Sequence, residues 1–415
     1  MPLRRTSLLV LLAAACSSAP DATGPGDAPG LPGAGDTLPA QLSAGERLTV
    51  TESNAFGLGL FQRVSARRAR QNVFISPYSA AVALGMTLNG AAGTTADAMA
   101  ATLGFAGQSL PQIDAAYRAL NQRLVRADTA VRFESANSIW YEKTFPFTQA
   151  FFDTTARYFG AEVQALDFRD EQGSLARING WAKDRTNGRI EKVLDQIRAD
   201  DQVMFLLNAV YFKGDWTTPF DSRQTASAEF TRADGAKQTV DMMTHRSVHP
   251  VWRASDLTAV ELPYGTGAFS MVVLVPATGR SVDDLVASLG PAKWQQVVDS
   301  LKPQDMQLYL PRFTMRYEDE WKDVLTAMGM GVAFTPGQAD FTRMSTRGRE
   351  VYIDFVKQNT FVAVNEKGTE AGAVTTVGIG LVSLPPPVRV DRAFVVVIRE
   401  KVTGAVLFAG KVASI

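Results

Sequence analysis

Cysteine is almost missing from this 415-residue chain: there is one, Cys16, near its start. That excludes an internal disulfide and a cysteine metal cluster, and it leaves the body of the chain without a thiol nucleophile. Histidine is nearly as scarce, with only His245 and His249, so most acid–base schemes have no candidate. A spacing of four would put two metal-binding imidazoles on one helical face. Here Arg246, Ser247, Val248 and Pro250 disfavour a helix and no Glu-x-x-His accompanies the pair, so no metal is expected. An excess of one charge is lacking too: 42 Lys and Arg balance 42 Asp and Glu, which argues against a nucleic-acid surface or a strong steering field. The Gly-x-Ser-x-Gly elbow, Ser-x-x-Lys, the Gly-x-x-x-x-Gly-Lys phosphate loop and a full Gly-x-Gly-x-x-Gly are all absent. These gaps weigh against an enzyme, and no cofactor is expected.

What is present begins with a leader. Arg4 and Arg5 precede the apolar run 8–15, which ends in Ala13-Ala14-Ala15-Cys16. The run is far shorter than the ~20 residues of a membrane span. It resembles a bacterial lipoprotein signal, with Ala13 where leucine is favoured; that likeness implies residues 1–15 as signal peptide and Cys16 as the site of lipid attachment. Removing residues 1–15 takes two bases and no acid, so the mature charge is 40 minus 42, or −2. Residues 16–47 are rich in Ala, Gly, Pro and Ser, with Gly24-Pro25-Gly26, and read as a flexible tether. The expected protein is extracytoplasmic, lipid-anchored to the cell envelope or secreted, and touches membrane only through its lipid.

Residues 48–415 read as one globular domain. Helical spacing marks 51–70, where Phe56, Leu60, Phe61 and Val64 share a face, and also 114–127, 149–158 and 175–185. Ser76-Pro77 can cap a helix of small residues suited to close packing, and Gly93 opens another toward Leu103. Strand patterns cover 131–141 and 161–168. The apolar run 203–212 reads as a strand buried on both faces, with Asn208 in need of partners. Beyond Phe230, strands are expected at 239–243, 258–262, 269–275, 307–313, 351–365, 388–400 and 405–412. Helices are expected at 282–289 and 317–328, the latter with Glu318-Asp319-Glu320 as N-terminal charges favoured by the helix dipole. Helices early and strands late make the class α+β.

One stretch fits no element. From Gly368 to Val388 there is a single acid, Glu370, no base, and finally Pro385, Pro386 and Pro387. About 20 residues without period count against a compact domain unless they are functional. The motifs around it are collinear with a known family: Asn72-Val-Phe-Ile-Ser-Pro-Tyr-Ser, Leu207-Asn-Ala-Val-Tyr-Phe-Lys-Gly-Asp-Trp-Thr-Thr-Pro-Phe, Leu262-Pro-Tyr, Leu310-Pro-Arg-Phe, Ala339-Asp-Phe and Val364-Asn-Glu-Lys-Gly-Thr-Glu-Ala-Gly-Ala. With Phe394 near the final strands, residues 48–415 resemble a serpin. The resemblance implies three β-sheets with eight or nine helices, a monomer, and an exposed reactive-centre loop over 368–387. In that family a target serine protease cleaves the loop, which then inserts into the main sheet and carries the trapped acyl-enzyme away.

The residues can be tested against that mechanism. Strand insertion needs period-2 alternation. With Thr369 as the first inward residue, Thr369, Ala371, Ala373, Thr375, Val377 and Ile379 share a small or apolar face without charge. Glu370, Gly372, Val374, Thr376, Gly378 and Gly380 share the other. No proline interrupts the hinge, Gly368 to Thr375. A new central strand would add on the order of ten backbone hydrogen bonds at about 1 kcal/mol each. That is comparable to a whole domain's ~5–15 kcal/mol, so the uncleaved form must be a kinetic trap. Family spacing from Glu366 puts the reactive bond at Val382-Ser383, where valine favours an elastase-like protease. One position earlier, Leu381 would favour chymotrypsin-like enzymes, and the lack of Arg or Lys argues against trypsin-like ones.

By the same resemblance Glu366, Arg312 and Trp216 mark where insertion begins. Ser76, Ser79 and Asn208 match a polar cluster under the sheet, in which the usual histidine is here Gln358, a residue that cannot titrate. The competing expectation is a non-inhibitory serpin, a binding or structural protein. The absence of charge and proline on the hinge's inward face disfavours it.

Overall fold

The computed structural model describes residues 41–369 and 386–415. Cys16, the hinge residues Glu370, Ala371, Gly372, Ala373, Val374 and Thr375, and the Val382-Ser383 bond lie outside the described residues.

In chain order the first half comprises helix α1 (Ala44–Arg67), strand β1 (Val73–Ile75), helices α2 (Pro77–Leu88), α3 (Gly93–Thr102) and α4 (Leu110–Arg126), strand β2 (Val131–Glu142), helix α5 (Gln149–Phe159), strand β3 (Ala161–Leu166), helix α6 (Glu171–Arg185) and strand β4 (Met204–Asp215). The second half is mainly strand. It contains β5 (Ala226–Thr231), β6 (Lys237–Arg253), β7 (Leu257–Tyr264), β8 (Phe269–Pro276), helices α7 (Val282–Ser288) and α8 (Pro291–Ser300), β9 (Lys302–Pro311), β10 (Phe313–Glu320) and the short helix α9 (Lys322–Leu325). The last strands are β11 (Lys357–Asn365), β12 (Gly368–Thr369), β13 (Val388–Arg389), β14 (Phe394–Glu400) and β15 (Val406–Val412).

The class is α+β, with nine α-helices among the described residues. One sheet of nine strands runs β1-β15-β14-β8-β7-β6-β9-β13, with β5 on β6; the other, of six, runs β10-β11-β12-β4-β2-β3. The long strands β6 and β9 stay paired from Met242↔Pro311 to Val251↔Lys302. They join what would otherwise be two of the three expected sheets into one continuous surface. Strands β8, β14 and β15 are buried along their whole length, so they form the centre of the core. Helices α1 and α2 approach closely over this sheet: a Cβ at Gly57 would lie 2.3 Å from the Cβ of Pro77. Gly57 of α1 permits that approach, whereas Gly85 of α2 lies against Tyr117 of α4. A second, smaller core lies under α6, built on Trp140, Phe168, Trp181 and Phe205.

Several expectations are corrected. Residues 317–320 are strand, not helix, and α9 starts only at Lys322. Asp319 is no helix-end charge: it is buried and takes hydrogen bonds from Arg67, Arg68 and the Tyr317 hydroxyl. Inward Tyr317 and Asp319 and outward Glu318 and Glu320 follow the strand's period, and pairing with β11 outweighs the helix signal of the acids. Strand β4 is only half-buried at Leu206, Leu207 and Asn208, because one side faces a cavity. Residues 351–356 carry no strand, and 388–400 divides into β13 and β14. Helix α8, opened by Pro291, forms where no element was expected.

Candidate functional site

Strand β11 ends at Asn365, and a two-residue turn, Glu366-Lys367, reverses the chain into β12. Gly368 and Thr369 then pair on both sides: with Asn365 and Val364 of β11, and with Asp215 and Gly214 of β4. Past Thr369, β11 and β4 have no pairing with each other, although each keeps its outer neighbour, β10 and β2. Among the described residues, the six-stranded sheet is therefore open along its middle. The opening holds a cavity of about 330 Å³ between Leu206 and Asn208 on one side and Gln358 and Asn359 on the other, with Trp181 and Leu194 among its lining residues.

Close packing fixes the turn. A Cβ on Gly368 would lie 2.2 Å from the Gly214 carbonyl oxygen, and its φ of 155° is one that side chains avoid, so glycine is required. Thr369 is 3% exposed, and its hydroxyl lies 2.8 Å from that of Tyr264. The Tyr264 ring stacks on Trp216 at 4.4 Å, and burial pushes its pKa up, which keeps the hydroxyl neutral. Three consecutive carbonyls at the turn each accept an N–H from the segment after β4. The Trp216 indole donates to Asn365 at 2.9 Å, the Trp216 backbone to Lys367 at 2.7 Å, and the Phe220 backbone to Glu366 at 2.8 Å.

The Glu366 side chain is buried. Arg312 Nε donates to its Oε1 at 2.7 Å and the Thr225 hydroxyl donates to the same oxygen. Burial by itself would raise the carboxyl pKa, but these donors hold it below the usual value. Glu366, Arg312 and Trp216, expected together, do meet here. Tyr264, Thr225 and Phe220 complete the site and were not singled out from sequence. Tyr264 and Phe220 lie inside the quoted Leu262-Pro-Tyr and Leu207-to-Phe220 motifs, which was the available signal.

The polar cluster assembles in part. Gln358 clasps the Ser76 backbone, accepting from its N–H at 2.8 Å and donating to its carbonyl at 3.0 Å. Ser76 Oγ donates to the Leu407 carbonyl at 2.7 Å and accepts from the Ser79 N–H at 3.2 Å. Asn208 stands apart on β4 and donates to Asn137 at 2.6 Å. Its Oδ1 is buried with no partner, the unmet need raised by the sequence. Among the described residues no cluster of three or more metal-ligating side chains occurs.

A family model described as Serpin (serine protease inhibitor) matches residues 51–415. Leukocyte elastase inhibitor A of Mus musculus is 31% identical over 373 residues, covering 86% of this chain and 97% of its own. Serpin B10 of Otolemur garnettii is 30% identical over 387 residues, covering 86% and 97%. Among solved structures, the native state of tengpin, a thermophilic serpin, superposes with a TM-score of 0.81 at 29% identity, covering 91% of this chain and 96% of tengpin. With this match spanning both sheets and the turn between β11 and β12, the chain belongs to the serpin family.

Proposed function

We propose that this chain is a suicide-substrate inhibitor of an elastase-like serine protease. The protease cleaves Val382-Ser383, and residues from Glu370 onward continue β12 as a full strand between β11 and β4. The observation that carries the reading is the wedge itself: two residues of that strand are already in register, and among the described residues nothing joins β11 to β4 beyond them. The unpartnered Asn208 Oδ1 beside the cavity supports it, since an arriving strand brings donors. The elastase-like preference rests on Val382 and draws support from the name of the mouse relative.

Incubation with pancreatic and leukocyte elastases, followed by denaturing electrophoresis, tests this. A complex that survives SDS, with cleavage after Val382 by mass spectrometry, is expected. Cleaved protein without complex across elastase-, chymotrypsin- and subtilisin-like enzymes overturns inhibition and favours a binding or structural serpin. A complex formed by cleavage after Leu381 overturns only the elastase-like preference.

A further inference from the structure

The chain's only two histidines meet head to head, far from any role in the reading above. His245 and His249 both lie buried on β6 with their Nε2 atoms 2.8 Å apart. His245 Nδ1 is 3.3 Å from the Pro219 carbonyl, which can only accept, so Nδ1 carries the hydrogen and Nε2 is left as an acceptor. His249 must then donate through its own Nε2. Its Nδ1 is a bare lone pair, and that buried atom has no partner. Directly across the strand pair stands Gln304, whose buried Oε1 is also without a partner. The neutral pair is thus a one-way chain ending in a vacant base beside a vacant acceptor.

The chain leads to the turn. The His245 ring stacks on Phe220 at 4.0 Å and 8°, and the Phe220 N–H holds the Glu366 carbonyl. A first proton on His249 Nδ1 leaves the Nε2 contact intact. A second must go to His245 Nε2, which sets two N–H groups and two positive charges against each other at hydrogen-bond distance. We propose that the His245–His249 pair is an acid-operated release for the turn that starts β12: double protonation parts the rings, removes the face on which Phe220 rests, and frees the Glu366 carbonyl.

The surroundings do not soften the clash. On β6 and β9, Arg246 pairs with Asp305 at the surface. Glu261 of β7 is engaged by Arg399, and only its backbone carbonyl favours a charged His249. Asp221, after the Pro219 segment, is taken by Arg223. At the turn, Glu366 is held by Arg312, which also reaches Asp241. Burial lowers the pKa of His245 to about 4, with His249 adding repulsion, and burial lowers that of His249. Both pKa values are depressed on folding. The stabilisation is therefore complete above the unfolded value of about 6.5 and is lost as pH falls toward 4. Glu366 is held below its ordinary value, so it stays ionised through the upper part of this window.

Because the chain has two imidazoles, side-chain NMR follows each without overlap. His249 should titrate first, and both below 6.5. Between pH 7 and pH 5, the Phe220 amide protection against hydrogen exchange, corrected for the intrinsic rate, should fall by about tenfold or more. His245→Gln, or His249→Gln should the first not fold, should lose most of this dependence. Ordinary titration near 6.5, flat Phe220 protection, or an undiminished acid response in these variants overturns the proposal. None of these readouts needs a protease, so failure to inhibit leaves it standing.

Discussion

At the residue scale, Thr369 carries the most information. Taken as the first inward residue of the alternating loop, it is buried in the structure against Tyr264. Thr369→Arg would force a guanidinium into that site, where Phe212, Tyr264 and Trp216 offer no counter-charge. The expected result is conversion from inhibitor to substrate, with cleavage continuing and the SDS-stable complex lost; unchanged complex yield would refute the inward assignment. What the sequence left hidden here are the partners. Tyr264 and Thr369 are 105 positions apart, and Thr225 and Glu366 are 141 apart. Periodicity reports which way a side chain faces within its own element, and it carries nothing about what arrives from elsewhere.

At the element scale, the readable features were those with a strong local signal. The cap at Ser76-Pro77 does open α2, and the Ser76 side chain accepts from the Ser79 N–H there. The 317–320 segment misled because its acids suit a helix start, whereas the deciding factor was its neighbour β11. The sequence also could not reveal that β6 is one strand of 17 residues, since its two halves pair with different neighbours, β5 and β7. The most testable element is β12. Gly368→Ala would drive a methyl into the Gly214 carbonyl. It should expel β12 and cost roughly 1–3 kcal/mol in chemical denaturation. A mutant with wild-type stability would mean the turn tolerates a side chain and the wedge is not held by close contact.

At the scale of the whole molecule, the fold class was legible and the open sheet was not, because an unfilled strand position leaves no mark in composition. An added strand should stabilise the protein as a whole. About ten new hydrogen bonds at ~1 kcal/mol each correspond to a rise in Tm on the order of 20 °C after loop cleavage. Differential scanning calorimetry of intact and cleaved protein reads this directly; equal midpoints would show that cleavage does not fill the sheet.

The far end of the loop is also fixed, since Val388 and Arg389 of β13 pair in parallel with Leu308 and Tyr309 of β9 in the other sheet. This has a consequence for synthesis. When Asn365 is added to the growing chain, all strands of the six-stranded sheet except β12 have been made, while Val388, the start of β13, is 388 minus 365, or 23, residues away. At ~5–20 residues per second that delay is roughly 1–5 s. The Glu366-Lys367 turn, closing over neighbours in sequence, forms at once, whereas the anchor at β13 must wait for its own translation. The newborn chain is thus in a race: β13 has to pair with β9 before the gap that β12 opens between β11 and β4 is filled.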